Sequence, residues 1–313
     1  MSTVELAIAH AAATMAPSGY LLSAKPLEGG VSAAVYRLDI ADPELGIRRV
    51  VFRQHRKIVD QAECRRVTKA EHQVHHVLCG LGFAVPQPCW HHDQPDGPGV
   101  GPYLAMEWAE GSTKIPGAAL PNAISQMAQF LVALHELDVE SLGDALSAVR
   151  PLEDPAVAIG PFLDDSDAAR RLAAYLRAQG SGLFRRDDVQ RRALVHGDFW
   201  PGNLLWHHDE LVAVLDWEDA SIGDPLADLA TARCEVGYAY GPEARETLTA
   251  SYCAQRGIAL DGAVGKSLDL WDAYVSASAL HSIAGWGLAP EAEAHRRQAT
   301  SVFFGQAVAR LTS

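Results

Sequence analysis

Paired cysteines, surplus positive charge and long apolar runs are what this sequence lacks. Its five cysteines (Cys64, Cys79, Cys89, Cys234 and Cys253) are odd in number and include no C-x-x-C pair. That excludes a disulfide framework or a zinc knuckle and points to a reducing cytoplasm. Lysine and arginine number 26 against 39 aspartates and glutamates, a net charge of −13. Such a balance argues against a general nucleic-acid surface and against a polybasic membrane patch. No stretch reaches 18 uninterrupted apolar residues, so no membrane span is expected. The N-terminal "MSTVELAIAHAAATMA" lacks a basic leader and carries Glu5 and His10 among its alanines, so it reads as an amphipathic helix, not a signal peptide. No internal repeat or low-complexity tract is visible.

What is present is a globular composition, 48% apolar and 21% charged over 313 residues, long enough for two cores. The first hundred or so residues read mostly as strands: "VSAAVYRLDI" alternates in the manner of a half-buried strand, and "RRVVFRQ" (48–54) follows a Pro- and Gly-marked turn. One helix, from about Gln61 to Cys79, has Asp60 as N-cap and Gly80 as its stop. Beyond Gly111 the pattern turns helical, near 121–137, 166–179, 224–237, 242–256, 262–284 and 290–311. A single tight hairpin interrupts it, "NLLW", the turn "HHDE", then "LVAVLD".

Chemistry concentrates around that hairpin. "LVHGDFWPGN" sets His196, Asp198 and Asn203 around a Pro-Gly turn, and Asp216 closes the hairpin that Asn203 opens. The residue entering one hairpin strand lies near the residue leaving its partner, so Asn203 and Asp216 are expected to be neighbours. An amide oxygen beside a carboxylate is a hard-oxygen set suited to Mg²⁺, and Asp198 on the preceding loop can take a hydroxyl proton. One base, one amide ligand and one acidic ligand are what phosphoryl transfer uses.

"HGDFWPGN" followed by "LDWE" and "GDPLADLA" resembles the aminoglycoside phosphotransferase family, the kinase-like small-molecule and antibiotic phosphotransferases. The resemblance implies an α+β, protein-kinase-like bilobal fold. It has a small β-rich N-terminal lobe with one helix (1–106) and a larger, mainly helical C-terminal lobe (107–313) holding the catalytic loop and acceptor pocket. It implies Asp198 as catalytic base, His196 and Asp228 as loop supports, and Asn203 and Asp216 as Mg²⁺ ligands. It further implies Gly29, Gly30 and Ser32 at a phosphate-covering turn. Arg53 stands where a kinase carries its phosphate-holding lysine, and Glu71 is its helix partner. Met106, Glu107 and Ala109 form the hinge that reads the nucleotide base, ATP or GTP. Glu218, Asp219, Glu235, Asp269 and Asp272 are candidates for binding the hydroxyl-bearing acceptor, an aminoglycoside, a macrolide, an amino alcohol or a sugar, and the acidic charge favours a cationic one. Membranes and nucleic acids are not expected partners. Two alternatives stay open from the residues alone: a metal-dependent hydrolase built on His196, Asp198 and Asp216, and a pseudokinase that binds nucleotide without turnover. Asp224 with Pro225 reads as a helix opening, and His135 as a helix-end histidine with internal partners.

Overall fold

The computed structural model describes residues 2–27, 32–56, 58–93, 100–115, 117–179 and 192–313. Its N-terminal part is a five-stranded antiparallel sheet in the order β1-β2-β3-β5-β4. The strands are β1 (Tyr20–Pro26), β2 (Ala33–Asp42), β3 (Gly46–His55), β4 (Pro88–His92) and β5 (Tyr103–Glu107). Register across its centre pairs Val35 with Arg53 and Phe52 with Ala105. Arg53 and His55 are two residues apart on β3, so both project from the same face.

Two helices accompany this sheet, not one. In α1 (Thr3–Met15), Ser2 and Glu5 form a reciprocal capping box, with Glu5 N–H on Ser2 Oγ at 3.2 Å and Ser2 N–H on the Glu5 carboxylate at 2.7 Å. Its face of Ala7, Ile8, Ala11 and Ala12 packs on Leu38, Ile40, Val50, Phe52 and Tyr103. Small side chains let the helix lie close to the sheet. The helix α2 (Gln61–Gly80) starts at Asp60, whose carboxylate accepts the N–H groups of Ala62 (2.7 Å) and Glu63 (3.0 Å). Ala70, Val74, Val77 and Leu78 join the core of the C-terminal part, so α2 is shared between the two lobes.

The C-terminal lobe is helical: α3 (Leu120–His135), the single-turn α4 (Pro155–Ala158), α5 (Asp167–Gln179), α6 (Leu226–Tyr240), α7 (Pro242–Arg256), α8 (Gly262–Ser282) and α9 (Pro290–Leu311). A second small sheet, which the sequence does not announce, comprises β6 (Arg150–Pro151), β7 (Ala193–Val195) and β10 (Ser221–Gly223), in the order β6-β10-β7. Strands of two and three residues are too short to show periodicity. This sheet matters, because β7 delivers the chain into His196 and β10 receives it after Asp219. Between them the expected hairpin is there as β8 (Leu204–His207) and β9 (Glu210–Val214). Edge strand β1 also lies outside the expected strands, since its mostly exposed residues carry no apolar alternation.

The α1 packing gives a direct stability test. Ala11 is fully enclosed while Ala13 is exposed, so Ala11→Leu is expected to cost roughly 1–3 kcal/mol by overpacking and Ala13→Leu close to nothing. Urea denaturation of the two variants checks this.

Candidate active site

The opening turn of α6 builds the site from beneath. Asp228 is fully buried, and its carboxylate accepts the backbone N–H groups of His196 (2.7 Å) and Gly197 (2.8 Å). His135, the last residue of α3, donates to the same carboxylate at 3.1 Å and is itself bonded to the Tyr252 hydroxyl at 2.8 Å. Burial alone would raise the Asp228 carboxyl, but His135 and the loop N–H groups hold it below its ordinary value. Asp224 opens the same helix, accepting the Leu226 N–H at 3.0 Å.

His196 is a strut. Its Nδ1 accepts the Asp198 N–H (3.1 Å), so the ring proton sits on Nε2 and is donated to the Leu215 carbonyl (2.8 Å). Burial lowers its pKa and keeps it neutral, and the ring lies 4.4 Å from that of Trp217. Both nitrogens are engaged with backbone, which removes His196 from any metal ligand set. Gly197 has φ +86°, and a Cβ there would meet the Asp219 carbonyl oxygen at 2.4 Å, so only glycine fits.

Asn203 donates its amide N–H to both the Asp198 carbonyl and Asp198 Oδ2, each at 3.0 Å. The amide nitrogen is thereby committed to Asp198, and the amide oxygen is the group left for a further partner. Asn203 lies at the end of the Pro201–Asn203 turn, and its carbonyl accepts the Leu215 N–H at 2.8 Å, which fixes Asp216 beside it. Asp216 adopts φ +66°, a left-handed conformation that aspartate tolerates better than most residues.

Opposite these groups, Arg53 reaches across from β3. Its Nη2 lies 2.6 Å from Asp216 Oδ1 and 2.5 Å from Glu218 Oε2, and its Nε 3.3 Å from Glu71 on α2. His55 contacts Glu218 at 3.1 Å and Glu71 at 3.4 Å. Burial opposes the charge on His55, yet Glu218 and Glu71 push its pKa up to about 9. Burial also opposes the charge on Glu218, but His55, Arg53 and a hydrogen bond from Ser32 bring it down to about 2.

Nearer Asp198 the acids outnumber the cations. Burial, with Asp219, Asp216 and Glu235 close by, pushes Asp198 up to about 7. Asp219 rises to about 6 through burial and the charges of Glu218 and Asp216. Asp216 is raised by burial in spite of Arg53. Asp198, Asp216 and Asp219 are thus all held above the ordinary carboxylate range, with the Asn203 amide bonded to Asp198 among them. The residues therefore fit Mg²⁺, with Asn203 and Asp216 as the groups that could hold it.

The remaining candidates divide. Met106 is buried on β5 and Glu107 ends that strand, its N–H on the Gln87 carbonyl (2.8 Å) and its carboxylate on Arg48 (3.0 Å); Ala109 follows in the connector. Gly29 and Gly30 lie outside the described residues. Of the candidate acceptor-binding acids, Asp272 is corrected: it is wholly enclosed, its two oxygens bonded to Arg233 Nε (3.2 Å) and Nη2 (3.1 Å). Asp269 pairs with Arg310 at 2.5 Å and Glu235 with Arg296, while Glu218 turns to the N-terminal lobe. Of the five, only Asp219 has no ion pair among the described residues. A sequence shows where acids are, and nothing in this one signals the arginine partners of Glu235, Asp269 and Asp272, 38 to 61 residues away.

A two-lobed arrangement with one acid–amide–acid constellation at the junction defines the class of kinase-like small-molecule phosphotransferases. The model of the APH phosphotransferase enzyme family matches residues 23–263, and the chain belongs to that family. Viomycin phosphotransferase of Streptomyces vinaceus is 30% identical over 190 residues, 52% of this chain and 58% of that protein. Acyl-CoA dehydrogenase family member 11 of Gallus gallus is 31% identical over 182 residues. That match takes in 52% of this chain but only 22% of the relative's length. Among solved structures, the GDP complex of aminoglycoside 2'-phosphotransferase-IIIa superposes with a TM-score of 0.65 at 18% identity, covering 99% of both chains. A macrolide 2'-phosphotransferase of Brachybacterium faecium gives 0.62 at 18% identity, covering 95% of this chain and 97% of its own. These two establish the shared fold.

Two outcomes test the site's physical description. Asp272→Ala strands a buried guanidinium and is expected to destabilise by about 3–5 kcal/mol, read by urea denaturation. In metal-free protein, Asp198 binds its proton more tightly folded than unfolded, since its pKa is raised from 3.8 to about 7. Its contribution to stability therefore falls as pH rises through that window and is flat above it. Asp198→Asn removes this loss, so its melting temperature is expected to exceed wild type by a margin that widens from about pH 4 to about pH 7. A margin that narrows over this range contradicts the burial of Asp198 charge.

Proposed function

We propose that the protein is a Mg²⁺-dependent kinase that moves the γ-phosphate of ATP or GTP to a hydroxyl of a small molecule. One observation carries this reading: Asp198, Asn203 and Asp216 converge from two loops into one acidic cluster, and Arg53 of the N-terminal sheet reaches into it to pair with Asp216. In the reading, residues 1–106 form the nucleotide-binding lobe and 107–313 the lobe with catalytic loop and acceptor pocket.

Roles follow from what each group can do. Asp198 accepts the acceptor's hydroxyl proton and, steadied by the Asn203 amide, orients the oxygen for in-line attack. Its raised pKa makes it a better proton acceptor than an ordinary carboxylate. Arg53, oriented by Glu71, turns its fork to the α- and β-phosphates. Met106, Glu107 and Ala109 form the base-reading hinge, and the turn of Gly29, Gly30 and Ser32 covers the phosphates. Asn203 and Asp216 would hold Mg²⁺, which when bound neutralises phosphate charge. His196 and Asp228 hold the loop and take no part in chemistry.

For the acceptor, the relatives' names span viomycin, aminoglycosides and macrolides, and a metabolic amino alcohol or sugar suits the same chemistry. The pairing of Glu218, Glu235, Asp269 and Asp272 with internal cations weakens the case for a polycation and leaves Asp219 as the acid best placed for a single ammonium. Free cysteines suit a cytoplasmic setting, and no helix among the described residues is long and apolar enough to cross a membrane.

The test is turnover with Mg·ATP and Mg·GTP against a panel of aminoglycosides, macrolides, amino alcohols and sugars. Asp198→Asn is expected to lower kcat by about 10²–10⁴-fold with nucleotide affinity within a few-fold of wild type. Wild-type rates in the variant would overturn the role given to Asp198, and nucleotide binding with no turnover on any acceptor would return the pseudokinase alternative.

A further inference from the structure

Arg53 carries more work in this site than one guanidinium can do at once. Its Nη2 touches Asp216 and Glu218 simultaneously, and its Nε faces Glu71. If Arg53 is to hold phosphates and Asp216 a metal, Arg53 must leave Asp216 and loosen its hold on Glu218 and Glu71. Two buried or half-buried carboxylates would then face each other with no cation between them.

His55 solves this. It projects from the same face of β3 as Arg53, is buried, and bridges the same two carboxylates, Glu218 through Nδ1 at 3.1 Å and Glu71 through Nε2 at 3.4 Å. Glu218 comes from the C-terminal lobe, whereas Glu71, His55 and Ser32 belong to the N-terminal part, so the bridge also joins the two lobes. Ser32, which helps to lower the Glu218 carboxyl, flanks Ala33, the β2 partner of His55.

We propose that His55 is a positioning residue for phosphoryl transfer: by holding Glu218 and Glu71 in place, it frees Arg53 to turn from Asp216 to the nucleotide phosphates. Arg53 is the cation that moves, and His55 the one that stays. This rests on the kinase reading above. Without His55, Glu218 and Glu71 depend on Arg53 alone and compete with phosphate for it.

The experiment is calorimetric titration of the full chain with Mg·ADP, in wild type, His55→Leu, His55→Gln, Glu218→Gln and the His55→Leu/Glu218→Gln double variant, with thermal melts verifying that each folds. His55→Leu is expected to weaken Mg·ADP binding by about tenfold. His55→Gln, whose amide can still donate to one carboxylate, is expected to recover most of that loss. If His55 acts through Glu218, the double variant binds no more weakly than Glu218→Gln alone, a non-additivity that a generic packing defect does not produce. Equal Mg·ADP affinity in wild type and His55→Leu overturns the proposal, as does full additivity in the double variant. Should His55→Leu fail to fold, His55→Asn, whose shorter amide cannot span both carboxylates, replaces it in the same comparisons, and Mg·ADP affinity equal to wild type overturns the proposal. Wild-type protein that does not bind Mg·ADP overturns the kinase reading, and this inference with it.

Discussion

The site hangs on one buried carboxylate. Asp228 draws the N–H groups of His196 and Gly197 onto α6 and is itself held by His135, which Tyr252 steadies from α7. A fully enclosed charge survives only when its lone pairs are filled, and here three donors from two elements fill them. With the loop pinned there, Gly197 can pass within contact of the Asp219 backbone, and His196 can span from the Asp198 N–H to the Leu215 carbonyl. The two loops that carry Asp198 and Asp216 are thereby locked at one separation. Precision in the candidate site comes from these backbone bonds, which involve no group proposed to react.

Against that rigid floor, the charges are unequally shared. On the N-terminal side Arg53 and His55 form ion pairs with Glu71 and Glu218; on the other side Asp198, Asp216 and Asp219 are pushed toward protonation. A protein that kept such a cluster for stability alone would gain by replacing it, because each raised pKa is a cost to the folded state at neutral pH. The cluster makes sense as a site completed by a cation and a phosphate chain. Arg296, Arg310 and Arg233 pair with Glu235, Asp269 and Asp272.

Much of this architecture is legible in the amino-acid sequence. The loop 196–203, the hairpin that brings Asn203 to Asp216, and the long helices all follow from short-range signals: a Pro-Gly turn, alternating residues, caps such as Asp60. What stays hidden depends on partners distant in sequence. The sheet of β6, β7 and β10 has strands too short for any periodicity, yet it aims both loops. Acidic residues on α6 and α8 look available because a sequence shows a charge and not its counterion. His55 is within reach: it stands two residues beyond Arg53 on an alternating strand, so a period of two places it on the same face. The family resemblance singles out the basic residue and passes over its neighbour.

The central claim is that Asn203 and Asp216 form a divalent-cation site that nucleotide completes. Electron paramagnetic resonance of Mn²⁺, as a stand-in for Mg²⁺, measures it without any acceptor. Wild-type protein with ADP is expected to show bound Mn²⁺, with the signal lost in both Asp216→Asn and Asn203→Ala while each variant keeps its fold. Mn²⁺ held as tightly by the two variants as by wild type, or no ADP-dependent binding at all, would contradict the account.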